Sequence, residues 1–235
     1  MSRVLVTRAR DEAERTAEKL RRLGHEPIRA PVTEIVATGA EIPRETFQAV
    51  LATSARALRH AGDDVGALSD VPFYVVGAKT AEAARSRGLH VEASAADVAA
   101  LTALLRERFP APSRFLYLAG CDRKDALEDF LRERGHEARV VEIYRAREVA
   151  ALPEETLAQL ARGEIDVVLH YSARSAALFV ALTRGRVEPR RIAELAHLAM
   201  SEEVARVLRA AGFANARAAA APRDEKLLSM IDEPR

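Results

Sequence analysis

Apolar positions along this chain follow two alternating rhythms. Continuous apolar runs at 4–6, 73–76 and 115–118 have the length of strands buried on both faces. Between such runs the apolar residues recur every three or four positions. Ala13, Ala17, Leu20 and Leu23 form one such set, and Ala126, Leu127, Phe130 and Leu131 another, each the stripe of an amphipathic helix. The pattern predicts strands at 3–7, 47–52, 73–76, 89–92, 115–118, 138–143, 165–169 and 195–200. Helices are predicted at 11–23, through Leu58, up to Gly88, at 97–109, from Arg123 to Gly135, at 153–161, through Leu182, at 201–211 and at 223–231. Residues 27–36 and 213–220 read as extended, Ala119-Gly120 as a turn, and the last residues as frayed. Strands alternating with helices call for parallel sheets covered on both faces.

The order repeats. Gly24-His25-Glu26 returns as Gly135-His136-Glu137, an offset of 111 (135 − 24), and Leu5 to Leu116 has the same offset (116 − 5). Ser54-Ala55-Arg56 returns as Ser172-Ala173-Arg174, an offset of 118 (172 − 54), and the helix stop Gly88 returns as Gly212, an offset of 124 (212 − 88). A constant offset over a whole strand–helix–strand unit, with small insertions later, indicates internal duplication and two similar α/β domains. Segments near 32–38 and 142–148 are the natural crossings between them.

Composition narrows the class. The 235 residues are 49% hydrophobic and 30% charged, with a net charge of +1. That suits a globular protein and gives no polyelectrolyte argument for nucleic acid. One cysteine, Cys121, excludes a disulfide framework and suits a reducing cytoplasm. The start lacks the apolar core of a signal peptide, and no apolar run nears the ~20 residues of a membrane span. The six histidines share no metal-ligand spacing with one another or with Cys121, and neither a Walker loop nor GxGxxG is present.

In open α/β sheets ligands bind beyond the carboxyl ends of the strands, where helix starts offer free N–H groups to anions. Turns of this kind are Thr7-Arg8, Thr53-Ser54, Gly77-Ala78-Lys79-Thr80, His170-Tyr171-Ser172 and the basic Gly120-Cys121-Asp122-Arg123-Lys124. Each also has a plain structural reading. Ser54, Ser172 and Thr80 suit helix starts, Arg123 and Lys124 a solvated helix face, Tyr144 ordinary packing and Cys121 an inert small residue.

VLVTRA, LATSARAL, VVGAKTAEAARSRGL, LYLAGCDRKDALEDFLRERGHEARVVEIYRA, VVLHYSARSAALF and APRDEKLLSMI stand in an order and spacing that resemble the uroporphyrinogen-III synthase family over nearly the whole chain. The resemblance implies two α/β domains on a two-stranded linker: 1–34 with 148–235, and 39–141, joined by 35–38 and 142–147. It implies cyclisation of hydroxymethylbilane, a linear tetrapyrrole bearing acetates and propionates, with inversion of its last ring. It implies a small-molecule substrate, no cofactor and no metal; with the composition, no nucleic-acid or membrane partner is expected, and a monomer in the cytoplasm. Tyr144 falls on the family's linker tyrosine, which helps the hydroxyl leave. Ser54 and Ser172 fall on the helix-opening serines, Thr80 on a Gly-x-x-Thr threonine, Lys124 where arginine is common with Arg123 beside it, and Arg8 after the first strand. Ser201 and Val204 replace the glycine and threonine of a second Gly-x-x-Thr turn. That departure supports a rival, a two-domain module holding a polyanionic small molecule without turnover. A nucleotide-dependent enzyme is opposed by the missing phosphate loops.

Overall fold

The computed structural model describes residues 1–233, and the frayed end expected at 234–235 lies outside them. Its elements fall into four groups along the chain. The first is β1 (Arg3–Val6), α1 (Arg10–Arg22) and β2 (Glu26–Arg29), followed by β3 (Thr33–Ala37). The second is β4 (Ala49–Ala52), α2 (Ala55–His60), β5 (Phe73–Val76), α3 (Ala78–Arg85), β6 (Val91–Ala95) and α4 (Val98–Arg108). The third, β7 (Arg114–Gly120), α5 (Ala126–Glu133) and β8 (Glu137–Glu148), repeats the first. After α6 (Glu154–Arg162) the fourth repeats the second: β9 (Val167–His170), α7 (Ala173–Thr183), α8 (Pro189–Ala193), β10 (Ala196–Ala199), α9 (Glu202–Ala210), β11 (Arg217–Ala218) and α10 (Asp224–Ser229).

The groups do not fold with their chain neighbours in simple succession. Residues 1–34 with 147–235 form one unit and residues 35–146 the other. The first group is thus completed by the fourth, and the second by the third. The first unit's sheet has the order β11-β10-β9-β1-β2 and the second's β6-β5-β4-β7-β8, with β3 added beside β8. Under the repeat these are the same order, and every pairing in them apart from that of β3 is parallel. Beside β8, the Thr38 N–H donates to the Ile143 carbonyl and the Val149 N–H to the Val32 carbonyl, so this added pair runs antiparallel. The fold is therefore α/β, two similar parallel-sheet domains joined by a two-stranded β linker, the first domain discontinuous.

The strand pattern explains the layering. In β1, Leu5 packs into one core, and Val4 and Val6 into the core on the opposite face. In β7, Leu116 and Leu118 face one way, and Phe115, Tyr117 and Ala119 the other. This period of two buries both faces of each sheet, each large apolar side chain contributing about 1.5–3 kcal/mol.

The repeat reaches single hydrogen bonds. The Ser2 N–H donates to His25 Nδ1 at 3.3 Å, and the Ser113 N–H to His136 Nδ1 at 3.1 Å. The His25 N–H donates to the Leu20 carbonyl and the His136 N–H to that of Leu131, both at 2.9 Å. Each histidine follows a helix-ending glycine and pins the start of the neighbouring strand.

Some predicted elements are corrected. Ala119-Gly120 is the end of β7, not a turn, because β8 runs on beside it with Ala119 opposite Glu142 and Gly120 opposite Tyr144. Arg123 and Lys124 precede α5 rather than lying on it, since Arg123 is held back by carboxylates described below. The strand expected at 89–92 is β6 at Val91–Ala95. The extended stretch at 213–220 pairs only at Arg217–Ala218. A 3-10 helix at Asp63–Leu68 and α8 were not predicted.

Candidate functional site

In both sheets the direction of progression reverses at one place, between β1 and β9 in the first unit and between β7 and β4 in the second. Taken from β2, the first unit's strands have the 2-1-3-4-5 order of a doubly wound sheet, whose ligands sit beyond the carboxyl ends of the strands at that reversal. Most of the candidate residues collect on these two rims.

On the first unit's rim, Thr7 Oγ1–H donates to the Leu169 carbonyl at 2.9 Å and ties the two reversing strands. Arg8, one residue on, lays its guanidinium 4.0 Å from the centre of the Tyr171 ring. It also faces Asp224 and Glu12, both at 3.5 Å. Burial raises the Tyr171 hydroxyl pKa, with Thr16 and Arg8 working against it. Ser172 caps α7: its hydroxyl accepts from the Ser175 N–H at 3.1 Å, and Ser175 Oγ accepts from the Ser172 N–H at 3.2 Å, a reciprocal capping box. Beneath the rim lie His170 and His197, both 0% exposed. His197 Nε2 meets the Ile192 carbonyl at 2.8 Å, so that nitrogen carries the proton and Nδ1 accepts from His170 Nε2–H at 3.1 Å. Burial holds His197 down at about 4 and His170 well below its usual value, with the neighbouring imidazole adding to the His170 shift.

The second unit's rim is built around β7 and β4. Ser54 caps α2, accepting from the Arg56 N–H at 3.3 Å. The Thr53 and Tyr117 hydroxyls are hydrogen-bonded at 3.0 Å. Burial is the main cause raising the Tyr117 pKa. Arg123 Nε–H donates to Glu128 at 2.6 Å, and its Nη1 donates to Glu142 at 2.7 Å and to the Gly120 carbonyl at 3.0 Å. The Glu128 partner leads the causes that push its pKa up. Lys124 beside it is exposed and has no ion pair among the described residues. Tyr144 is half-buried, its ring lies across Gly120, and His60 stands 6.2 Å away between ring centres. Burial is likewise the largest cause raising the Cys121 thiol pKa, which disfavours the thiolate.

Two candidates lie one strand outward. Thr80 sits buried in the first turn of α3, after Gly77 at φ +84°, a left-handed conformation that glycine alone adopts without strain. Ser201 caps α9 in position only, because its hydroxyl takes no N–H of that helix. Charge separates the four helix starts. The first turns of α2, α3 and α7 hold no acidic residue, whereas α9 opens with Glu202 and Glu203. Carboxylates at a helix N-terminus oppose a bound anion. Sequence reasoning missed Tyr117, His60 and the buried His197, and named Gly120 and His170 only as members of candidate turns. The apolar run around Tyr117 read as core, and nothing in the sequence pattern pairs Gly120 with Tyr144. Among the described residues no three His, Cys, Asp or Glu side chains converge as a metal site, and no helix is long and apolar enough to cross a membrane. A 500 Å³ pocket in the second unit is lined by Glu41, Asp63 and Asp64 against Arg44 and His60, an excess of carboxylates that suits a polyanion poorly.

A twice-built doubly wound α/β unit, with hydroxyls and helix starts on its switch-point rims, defines a class of two-domain α/β proteins whose ligand sites lie beyond the carboxyl ends of the strands. The family model for uroporphyrinogen-III synthase (HemD) matches residues 14–229, and the chain belongs to that family. Its function is that of a uroporphyrinogen-III synthase. The fold is shared with uroporphyrinogen-III synthetase of Helicobacter pylori, 16% identical over 98% of each chain with a TM-score of 0.61. A mutant uroporphyrinogen III synthase from Thermus thermophilus is 19% identical over 98% of this chain and 97% of its own, with a TM-score of 0.48. No curated protein sequence matches significantly.

Proposed function

We propose that this protein acts as a hydro-lyase on hydroxymethylbilane, with Tyr144 assisting departure of the hydroxyl and the rim hydroxyls, helix starts and basic side chains holding the carboxylates. The carbon–oxygen bond of the hydroxymethyl group breaks, the hydroxyl takes a proton and leaves as water, and an azafulvene cation remains. The terminal pyrrole attacks that carbon through its substituted position, giving a spiro intermediate; the bond from that position to its original methylene bridge breaks, the freed methylene carbon bonds to the ring's open position, and the proton there is released, restoring the one taken up by the hydroxyl. The balance involves no oxidant or reductant. The protein's task is to hold reacting carbons in contact geometry, where fixed orientation supplies much of the acceleration. Arg8, Ser54, Thr80, Arg123, Lys124, Ser172 and Ser201 are the substrate-binding candidates.

Within that set the chemistry ranks the members. Lys124 has no ion pair among the described residues, while Arg8 and Arg123 already face carboxylates, which leaves each less charge to offer a substrate. Ser201 is the weakest, behind Glu202 and Glu203. We place the protein in the cytoplasm as a monomer, with 35–38 and 142–147 as the crossings between domains. The observation that carries the reading of Tyr144 is its half-buried phenol on the switch-point rim, with no hydrogen bond from its hydroxyl among the described residues. Tyr144→Phe tests it by steady-state kinetics. Loss of general-acid help costs about 100- to 10,000-fold, so kcat falls into that range with the thermal melt unchanged. A variant turning over at the wild-type rate removes Tyr144 from the chemistry.

A further inference from the structure

Gly120 has no left-handed backbone that would demand glycine. It ends β7, inside a parallel ladder where any residue fits. The demand comes from space. A Cβ on Gly120 would stand 2.6 Å from Tyr144 Cζ and 2.8 Å from its Cε2 and hydroxyl oxygen. Real side chains do not approach so closely, so the ring and a Cβ cannot share that place.

The ladder brings the two together. Along β7 and β8 the pairs run in step up to Ala119 and Glu142, then the register slips by one and Gly120 meets Tyr144 instead of Ile143. An extra residue in one strand re-aims the side chain that follows it. Ile143 stays buried in the same core against which Tyr144 packs. The backbone on both sides is fastened. The Cys121 N–H donates to the Tyr144 carbonyl at 2.9 Å. Arg123 donates to the Gly120 carbonyl while held by Glu128 and Glu142. With both backbones pinned, a methyl group at 120 is relieved mainly by turning the phenol away.

We propose that Gly120 is a positioning residue for the reaction: its bare Cα is the seat that sets the direction of the Tyr144 hydroxyl, with the Arg123–Glu128–Glu142 clamp holding that seat still. This rests on Tyr144 being the group that helps the hydroxyl leave. Misplacement of a catalytic group by about 1 Å can cost on the order of 100-fold.

The test is a double-mutant cycle with hydroxymethylbilane as substrate, comparing wild type, Gly120→Ala, Tyr144→Ala and the pair. Gly120→Ala should lower kcat about 10- to 100-fold with KM within about 2-fold. In the Tyr144→Ala background the same change should cost nothing, because the ring it strikes is gone. The chain has four tyrosines, and in ring-labelled protein Gly120→Ala should shift chiefly the Tyr144 resonance. Should Gly120→Ala alone not fold, the pair folds if the clash is the cause and fails if it is not. An equal loss in both backgrounds, or an unmoved Tyr144 resonance with full turnover, overturns the seat while leaving Tyr144 in place. A fully active Tyr144→Ala protein overturns the reading of Tyr144, and the positioning role with it.

Discussion

His170 and His197 show how far one residue's chemistry is set by its surroundings. Both imidazoles are sealed inside the first unit, with Phe179 and Phe213 rings against them. Their hydrogen bonds are satisfied with both rings neutral, and protonating either would bury a charge in an apolar pocket. An unfolded chain protonates them below about pH 6.5, whereas the folded one resists until about 4 at His197. Their contribution is therefore complete above pH 6.5 and is lost as the pH falls from there toward 4. The urea midpoint should decline over that window, and the two imidazole resonances should keep their neutral positions at pH 5.5. Both resonances titrating near 6.5 would contradict the buried pair. The sequence placed His170 in a candidate turn but did not pair it with His197, because 27 residues separate them and no metal spacing links them. Arg8 and Arg123 were legible as cations on a rim. Their engagement was not, for Asp224 lies 216 residues from Arg8 and Glu142 reaches Arg123 only through the β7–β8 ladder.

At the scale of elements, helix starts and strand starts carry separate predictions. Ser172→Ala removes a capping box and should cost about 1 kcal/mol of stability. If the hydroxyl also holds substrate, KM rises as well, and Ser54→Ala and Ser172→Ala should each raise it more than Ser201→Ala, whose helix opens with two carboxylates. A melt shift with no change in KM would leave both serines as caps only. His25→Leu and His136→Leu each leave a strand-start N–H without its acceptor, at Ser2 and Ser113. Each should lower the unfolding free energy by about 1–3 kcal/mol, by similar amounts if the duplicated contact does the same work in both units. Helix positions were well legible, as with α4 and its Asp97 cap, because period and cap agree there. Strand ends were not. Ala119-Gly120 carries turn residues, yet the partner strand prolongs β7 through them. Tertiary pairing outweighs local preference at such places.

For the whole molecule, the repeat was visible in the offset of 111, and the crossed pairing of groups follows the resemblance rather than any local pattern. Each sheet, having the same strand order, places its own set of helix starts on a reversal rim, and the proposed function has such rims holding the carboxylates of the substrate. Such a grip weakens as ions screen it, so KM should rise with salt between about 0.05 and 0.5 M while kcat changes little. A KM flat across that range would count against an electrostatic hold. The most direct measurement is the isomer formed when the purified protein meets fresh hydroxymethylbilane, separated from the product of the uncatalysed reaction run alongside. A synthase yields the type III uroporphyrinogen, with its last ring inverted; only the type I isomer, at the uncatalysed rate, would contradict that activity.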